Sequence, residues 1–284
     1  MEMVKAVLKF IFPALLAVSC AQYKAPVFSW EKFDMDGHRV GAGVSRADNV
    51  QEALGVYENG IYTAPNGKVF SDGCTPSVAK ALIDVQPSMV RLKQVVGIST
   101  RVMKNAKPES ELSNWEVDVV SRETERLFGE KVDFGITNFG GIRADIPEGE
   151  VMLDDIESMF PFKNYLCYVK IKGTRVKEIF DSFAANKIHC VSGVKLVIDG
   201  RKVKELLIGG EPLDLDREYG MATINFLLDG GDGLFLAEDA LELKMSDVLV
   251  RDAILNDMKE RQRDGRPLEY FKDGRVQIIN REGK

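Results

Sequence analysis

The sequence predicts an α+β fold: a single domain in which a mixed β-sheet packs against helices. Helical patterns and hairpin patterns mix along the chain without the strict strand–helix alternation that a doubly wound sheet requires. Hydrophobic residues make up 45% of the chain and charged residues 29%, which is ordinary for a globular protein with a sizeable core. A length of 284 residues accommodates one large domain or two small ones, and no internal repeat divides it.

The N-terminal segment is expected to be an export signal. A basic start precedes an apolar run from Phe10 to Val18, which is too short to span a bilayer as a helix. Small residues then lead to Cys20, in a pattern that resembles the bacterial lipobox, where the signal is cleaved and the cysteine is lipidated. The alternative is a plain signal peptide with an incidental cysteine. We expect a signal over residues 1–19, a tether over residues 20–45, and a lipid anchor in the bacterial cell envelope, in the periplasm or at the outer membrane.

The folded domain is expected over residues 46–281. Asn59-Gly60 and Asn66-Gly67 are hairpin signals on either side of a short strand-like run, Ile61–Thr63. Thr75-Pro76 is typical of a helix start, with proline in the first turn. The spacing along this helix and past Pro87 predicts a buried apolar stripe: Val78, Leu82, Val85, Met89, Leu92 and Val96.

Periodicity predicts the remaining elements. Asn114 is expected to open a helix that ends near Phe128, and a last helix is expected to start at Ser246 or Asp247 and to end near Arg261. Apolar patterns predict strands over residues 132–137, 165–171, 194–198, 203–208, 218–224 and 275–279. Helical spacing predicts one more buried stripe, formed by Val176, Ile179, Phe180 and Phe183.

Three cysteines remain if Cys20 is lipidated, and an odd number cannot fully pair. Cys167 lies within an apolar run, so we expect a buried free thiol there. A bridge between Cys74 and Cys190 is compatible with an exported protein, although nothing in the spacing requires it.

Charge and histidine content argue against two kinds of partner. A formal net charge of −6 disfavours a nucleic-acid polymer, because proteins that bind one carry a basic face. The sequence has two histidines, His38 and His189, and no cluster with metal-ligand spacing, so we expect no metal site and no cofactor in this chain. A small anionic ligand remains compatible with the charge, because one well-placed arginine outweighs a diffuse negative field.

The loop from Asn138 to Arg143 carries the first binding signal. Gly140-Gly141 follows a strand, permits positive φ and lets the backbone approach a ligand. Arg143 then projects from a turn, and its guanidinium suits bidentate recognition of a carboxylate or phosphate. The alternative is a tight turn whose arginine pairs with Glu148 or Glu150.

Two further loops supply aromatic rings. Pro161 stiffens the approach to Phe162, so this ring has little entropy left to lose on binding; a core phenylalanine is the alternative. Phe226 ends a strand, and the turn Gly230–Gly233 that follows carries Asp232 among three glycines. Packing alone hardly explains this turn, whereas an aspartate there accepts hydrogen bonds from the vicinal hydroxyls of a sugar.

Two phenylalanines on separate rigid loops predict a sandwich for an aromatic base. Stacking of this kind contributes about 1–3 kcal/mol per base and tolerates different bases. With a diol-accepting aspartate and an arginine nearby, the three loops together predict a site for a nucleoside or nucleotide.

The three loops resemble the three signatures of the 5′-nucleotidase C-terminal domain, the substrate-recognition half of bacterial UDP-sugar hydrolases and of animal ecto-5′-nucleotidase. The matching stretches are Asn-x-Gly-Gly-Ile-Arg from Asn138, Pro-Phe-x-Asn from Pro161, and Asn-Phe-Leu-x-x-Gly-Gly-Asp-Gly from Asn225. A match of all three in order is specific, and the resemblance runs over about residues 46–281.

This resemblance implies roles for individual residues. In that family two aromatic residues stack on the base, and Phe162 and Phe226 occupy their positions. Asp232 matches the aspartate that binds the ribose, while Asn138 and Arg143 match residues that line the ribose and hold the phosphate. The implied site also includes Gly141 in the first loop, Asn164 as a contact to the base, and Gly193 as a backbone contact to the base.

Two departures from the family pattern change what is expected. Ala106 occupies the place of a further family arginine, with Lys104 or Lys107 as substitutes, so phosphate binding is expected to be weaker than the family norm. The metallophosphatase half, which supplies two metal ions and an Asp–His pair, is not found in this sequence. Divalent metals are therefore expected only in a separate partner chain, and we assign no catalytic residue to this one.

The leading hypothesis is a lipoprotein that forms the recognition half of a split 5′-nucleotidase, with a separate metallophosphatase chain carrying out hydrolysis. AMP or adenosine is the expected class of ligand, and a UDP-sugar is a further candidate. Two alternatives stay open: a stand-alone nucleoside-binding lipoprotein without enzymatic activity, and a structural or surface-interaction lipoprotein whose site is vestigial. The first predicts binding without complex formation, and the second predicts no binding.

Overall fold

The computed structural model describes residues 37–46 and 48–280, and the predicted signal, Cys20 and most of the predicted tether lie outside them. The α-helices are α1 (Val50–Leu54), α2 (Thr75–Val85), α3 (Glu111–Phe128), α4 (Leu153–Met159), α5 (Gly173–Ala185) and α6 (Val250–Arg263). The strands are β1 (Val56–Glu58), β2 (Ile61–Thr63), β3 (Val69–Phe70), β4 (Val95–Ser99), β5 (Phe134–Thr137), β6 (Gly149–Met152), β7 (Tyr165–Lys172), β8 (Cys190–Ser192), β9 (Val194–Asp199), β10 (Lys202–Ile208), β11 (Glu211–Pro212), β12 (Glu218–Ile224), β13 (Glu242–Leu249) and β14 (Val276–Ile279). Within the part of the chain so described, no helix is long and apolar enough to cross a membrane.

A mixed five-stranded sheet forms the centre of the fold, in the order β13-β7-β12-β5-β8. β12 and β5 run parallel, whereas the other neighbouring pairs are antiparallel. β5 and all but the first residue of β12 are buried, which is the pattern of strands covered on both faces. A second sheet, in the order β11-β10-β9-β14, shares one hydrophobic core with it. Mixed sheets with packed helices confirm the predicted α+β class.

Helix α3 packs one face against the central sheet. Its apolar spacing determines that face, and Val117, Val120 and Thr124 are fully buried there. Trp115 is also fully buried, and its indole N–H donates to Asp257 Oδ2 at 2.8 Å, which joins α3 to α6. The buried ring therefore satisfies its one polar atom, as a stable core requires.

The start of α3 differs from the prediction: it begins at Glu111 and not at Asn114. Ser110 is the N-cap, since its hydroxyl accepts a hydrogen bond from the Ser113 N–H while the Ser113 hydroxyl accepts one from the Ser110 N–H. The serine pair satisfies the free backbone groups one turn before Asn114, which explains the earlier start. The predicted end at Phe128 is confirmed.

The last helix, α6, begins at Val250, so the predicted start at Ser246 or Asp247 is wrong. Those two residues lie inside β13, which pairs antiparallel with β7 as far as Leu249 and Tyr165. Partly buried and exposed residues alternate along β13, which is the period of a strand at the edge of a sheet. Pairing with β7 therefore overrides the local helix signal.

The N-terminal part of the described chain forms a small unit of three strands and a helix. β1 and β2 are joined by Asn59-Gly60, where both residues have positive φ (50° and 86°), which confirms the predicted hairpin. Helix α2 begins at Thr75, as predicted, and packs on this small sheet through Ala79. The predicted burial of its stripe is wrong, because the small sheet covers only the Ala79 face. The exposed residues are Val78, Leu82 and Val85, whereas Val96 is buried in β4.

The three described cysteines, Cys74, Cys167 and Cys190, are free thiols. Cys190 is buried in β8 whereas Cys74 is exposed before α2, so the structure has no bridge between them. Cys167 is buried, as predicted, and burial raises the pKa of its thiol to about 12.

Candidate functional site

The central sheet brings the loops singled out by the sequence to one end of the molecule. In the parallel pair β5–β12, Phe134 lies opposite Met221, so the loops that begin at Asn138 and Asn225 leave the sheet side by side. β7 runs antiparallel to β12, so the loop before β7, which carries Phe162, meets the sheet at the same end. The strands that carry the three loops are neighbours, about 4.8 Å apart.

Asn138 starts the first loop and is buried, with 6% of its surface exposed. Phe139–Gly141 then forms a short 3-10 turn in which neither glycine adopts the positive φ that glycine permits. Glycine is needed at these two positions because a side chain there would crowd the Asn138 amide. A Cβ on Gly141 would lie 2.9 Å from Asn138 Oδ1, and one on Gly140 would lie 3.4 Å from Asn138 Nδ2. The glycine pair therefore leaves room for the Asn138 amide.

The glycine-rich turn holds Asp232 in a left-handed backbone conformation. Its φ is 52°, between Gly230 and Gly233 with φ of 92° and 80°, in a region that glycine adopts freely and aspartate tolerates better than most residues. A Cβ on Gly231 would lie 1.8 Å from the Phe226 carbonyl oxygen, so only glycine fits there. All three glycines thus have a geometric reason, and together they set the position of the Asp232 carboxylate.

A short hydrogen bond joins the first loop to the glycine-rich turn. Asn138 Nδ2 donates to Asp232 Oδ2 at 2.6 Å, and Lys187 Nζ donates to the other carboxylate oxygen at 2.9 Å. Burial acts to raise the pKa of Asp232, but the hydrogen bonds from Asn138 and Lys187 outweigh it and hold the pKa below its ordinary value. The carboxylate is therefore ionised at neutral pH and acts only as an acceptor.

Phe162 and Phe226 are exposed rings of the loop cluster, which is formed by residues 138–143, 161–164 and 225–233. Their exposed fractions are 48% and 46%, so neither ring belongs to the core, and the alternative of a core phenylalanine at position 162 is overturned. Phe162 lines a small cavity together with Asn138, Gly141 and Asn164. Four of the predicted site residues therefore share one cavity wall.

Hydrogen bonds hold the two aromatic loops against the sheet. Asn225 Oδ1 accepts a hydrogen bond from the Tyr165 backbone N–H at 2.7 Å, which links the ends of β12 and β7. The Asn164 carbonyl oxygen accepts one from the Val250 N–H at 2.9 Å, at the start of α6. The residues next to each ring are thus anchored on rigid elements, as a precise binding site requires.

Arg143 is exposed, and the centre of its guanidinium lies 5.9 Å from the centre of the Phe162 ring. The alternative of an arginine paired within its own turn is overturned, because Glu150 instead binds Arg46 at 2.5 Å. Among the described residues, no carboxylate lies within ion-pair distance of Arg143; its contact to the Gly140 carbonyl oxygen is long, at 3.4 Å. Most of its donors remain available to an anion.

Lys107 lies beside the first loop, with its Nζ 5.7 Å from the centre of the Phe139 ring. Asn105 secures this segment, because its Nδ2 donates to the carbonyl oxygens of Phe139 and Ile142 at 2.8 and 3.0 Å. A lysine in this place supplies a single charged group and not the planar guanidinium of an arginine.

The structure places Gly193 away from the loop cluster, which corrects its prediction as a contact to the base. Gly193 has φ 70°, and a Cβ there would lie 2.4 Å from the Asp133 carbonyl oxygen. Asp133 precedes β5 at the end opposite to Asn138, about 16 Å away at roughly 3.3 Å per strand residue. Gly193 is therefore explained by close backbone packing before β9.

Two residues of this region, Glu116 and Lys187, were not predicted from the sequence. Glu116 is 3% exposed and lines the same small cavity as Phe162. It lies four residues from Leu112 and four from Val120 on the buried face of α3, and an acid on such a face was the available signal. Lys187 follows α5 in an irregular segment, where no periodicity distinguishes it.

His189 is buried, and its ring lies against Phe183 with ring centres 4.9 Å apart. Burial, reinforced by the positive charges of Lys187 and Lys107, lowers the pKa of His189 to about 4, so the imidazole is neutral at pH 7. Across residues 37–46 and 48–280, no group of three or more His, Cys, Asp or Glu side chains is placed to hold a metal ion.

An amide–carboxylate pair, half-exposed aromatic rings and an arginine without a carboxylate partner among the described residues thus lie at the same end of the mixed central sheet. The chain belongs to the 5′-nucleotidase C-terminal domain family, whose model matches residues 89–239. That range contains all three loops.

Named relatives match shorter stretches of sequence. Protein UshA of Yersinia enterocolitica is 36% identical over 106 residues, which cover 36% of this chain and 19% of the relative. The 5′-nucleotidase of Vibrio vulnificus is 32% identical over 108 residues, which cover 36% and 20%. The structure of a 5′-nucleotidase precursor from Thermus thermophilus aligns with a TM-score of 0.63 at 24% identity, over 73% of this chain and 44% of that one, which shows a shared fold. The match thus spans about a fifth of the curated relatives' length.

Proposed function

We propose that this chain is a nucleoside- and nucleotide-recognition domain that serves nucleotide catabolism together with a separate metallophosphatase chain. Family membership and the loop cluster support the proposal. The observation that carries it is the Asn138–Asp232 hydrogen bond at 2.6 Å, which joins the first loop to the glycine-rich turn beside the half-exposed rings of Phe162 and Phe226. Hydrogen-bond acceptors suited to the hydroxyls of a ribose thus lie beside aromatic rings suited to stacking on a base.

Each group suits one part of a nucleotide. Phe162 and Phe226 stack on the base, at about 1–3 kcal/mol for each stacked ring. The ionised Asp232 accepts hydrogen bonds from the ribose diol, and Asn164, next to Phe162, reaches the polar edge of the base. Arg143 binds the phosphate. Because Lys107 offers a single charged group where the family has a further arginine, the phosphate of AMP is expected to add less affinity than in the family norm, and a UDP-sugar is a further candidate.

Removing either ring is expected to weaken ligand binding. Phe162→Ala and Phe226→Ala should each raise the Kd for adenosine about 10- to 100-fold, because each removes one stacking surface. Isothermal titration calorimetry with adenosine and AMP measures this. Phe271→Ala is the matched control: that ring is 55% exposed but lies outside the loop cluster, under the Arg101 guanidinium. Unchanged affinity in both site variants, or an equal loss in the control, would contradict the proposed site.

The hydrolytic step is assigned to the partner, because two-metal hydrolysis needs a cluster of metal ligands at the scissile phosphate. A metallophosphatase chain should release phosphate from AMP faster when this chain is added, and Asp232→Ala should abolish the gain. No gain, with adenosine binding intact, would favour the stand-alone nucleoside-binding protein instead.

We also propose lipid anchoring through Cys20 in the cell envelope, which predicts release of the Cys20→Ser protein from membranes.

A further inference from the structure

A small cavity adjoins the proposed ligand site. Its wall includes Glu116 from α3, and Asn138, Gly141, Phe162 and Asn164 from the loops. Its volume is about 10 Å³, and one water molecule requires roughly 10–15 Å³ on the same measure. The cavity is polar on two sides, so it has both the size and the chemistry to hold one water.

The Asp232 carboxylate determines how the Asn138 amide is oriented. An ionised carboxylate only accepts hydrogen bonds, so Asn138 must turn its Nδ2 towards Asp232, as the 2.6 Å contact shows. Asn138 Oδ1 then faces Gly141, which also lines the cavity. Asn138 Oδ1 is buried and has no hydrogen-bond donor among the described residues. A buried acceptor without a donor is unfavourable, so a donor in the cavity is needed.

Glu116 contributes its carboxyl group to the same cavity. Its Oε2 accepts a hydrogen bond from the Thr137 hydroxyl at 2.5 Å, which leaves the other oxygen for a second partner. Burial raises the pKa of Glu116 to about 8, offset only in part by the Thr137 hydrogen bond. The carboxyl group is therefore neutral at pH 7 and carries a proton that it can donate.

We propose that Glu116 is a positioning residue of the nucleoside site: through one water molecule in the cavity, its carboxyl group supplies a hydrogen bond to Asn138 Oδ1. The water accepts a hydrogen bond from Glu116 and donates one to Asn138 Oδ1. These two hydrogen bonds hold the Asn138 amide in the orientation that presents Nδ2 to Asp232. The role in ligand binding rests on the proposed function, whereas the orientation of Asn138 is measurable without any ligand.

This arrangement does not depend on the protonation state of Glu116. Two titratable groups interact with its charge: Asp118 on its own helix, which raises the pKa of Glu116, and Cys190 from β8, whose pKa burial raises well above its ordinary value. The other described residues that line the cavity are uncharged. Above about pH 8 an ionised Glu116 accepts from the water, which then donates to both Glu116 and Asn138 Oδ1, so adenosine binding by the wild-type protein should persist.

The ligand-free protein provides the first test. Glu116→Gln keeps a donor in place, whereas Glu116→Leu replaces it with an apolar group. In NMR spectra, the side-chain amide signals of Asn138, assigned by their loss in Asn138→Ala, should be retained in the Gln variant and shifted or broadened in the Leu variant. If the Leu variant does not fold, Thr137→Val releases Glu116 from its hydrogen bond and should shift the same signals. Wild-type signals in both the Leu and Val variants would overturn the inference.

Adenosine titration provides the second test. At pH 7, Glu116→Gln should bind within about threefold of wild type and Glu116→Leu at least about tenfold more weakly. At pH 9, binding by the wild-type protein and by the Gln variant should each stay within about threefold of its value at pH 7. Wild-type affinity in the Leu and Thr137→Val variants would contradict the positioning role. If the wild-type protein binds no nucleoside, the proposed function fails, while the amide signals still decide the role of Glu116.

Discussion

Replacement of Asp232 by alanine is expected to weaken adenosine binding about 100-fold or more. The ribose loses two hydrogen bonds to a charged acceptor, each contributing roughly 1.5–3 kcal/mol, and about 1.4 kcal/mol corresponds to tenfold in Kd. The change also frees Asn138 and Lys187, which donate to this carboxylate at 2.6 and 2.9 Å. Calorimetric titration of the variant with adenosine measures the loss.

Two further variants show whether the loss of binding comes from the missing carboxylate or from strain in the left-handed backbone. Asp239 has φ 55°, close to the 52° of Asp232, so Asp239→Ala places alanine in the same left-handed conformation outside the glycine-rich turn. Its adenosine affinity should be unchanged. Asp232→Asn tolerates the backbone conformation but gives up the charge, so an intermediate loss is expected. Equal weakening by Asp239→Ala would show that the shape of the backbone, and not the carboxylate, is responsible.

Replacement of Glu116 by glutamine is expected to change how stability depends on pH. In the folded protein burial raises the pKa of Glu116 from 4.5 to about 8, so the folded state binds more protons than the unfolded state between these values. The contribution of Glu116 to stability is therefore fully present below about pH 4.5 and is lost as pH rises to about 8. The Gln variant has no such loss, and it should gain about 4 kcal/mol relative to wild type between pH 5 and pH 9.

Urea unfolding of the wild-type and Gln proteins at pH 5, 7 and 9 measures this difference, because all other titrating groups are common to both. Glu211→Gln, which removes an exposed carboxylate in β11, controls for the change in net charge. A difference that stays flat with pH, or that grows as pH falls, would show that Glu116 is ionised in the folded protein.

Elements that depend on near neighbours in the chain were predictable from the sequence. The hairpin at Asn59-Gly60 and the start of α2 at Thr75 have local geometric causes, and both are confirmed. The failures come from contacts between distant segments. Residues 246–247 belong to a strand only because β13 pairs with β7, far earlier in the chain. Val78 and Leu82 are exposed because the sheet that receives α2 is too small to cover them.

The loop cluster shows the same division between local and distant causes. Glycine-rich turns and half-exposed rings leave local marks, so the loops with Asn138, Phe162 and Asp232 were found from sequence and do lie together. The exact use of the glycines was not predictable, because Gly141 makes room for a side-chain amide and does not adopt positive φ. Glu116 is joined to the site only through the packing of α3 against β5, which no motif in the sequence records.

The most direct test of the nucleoside site is a crystal structure of the chain with bound adenosine. The base is expected between Phe162 and Phe226, with both ribose hydroxyls within about 3 Å of the Asp232 carboxylate. Adenosine bound elsewhere, with these two rings still facing solvent, would contradict the account.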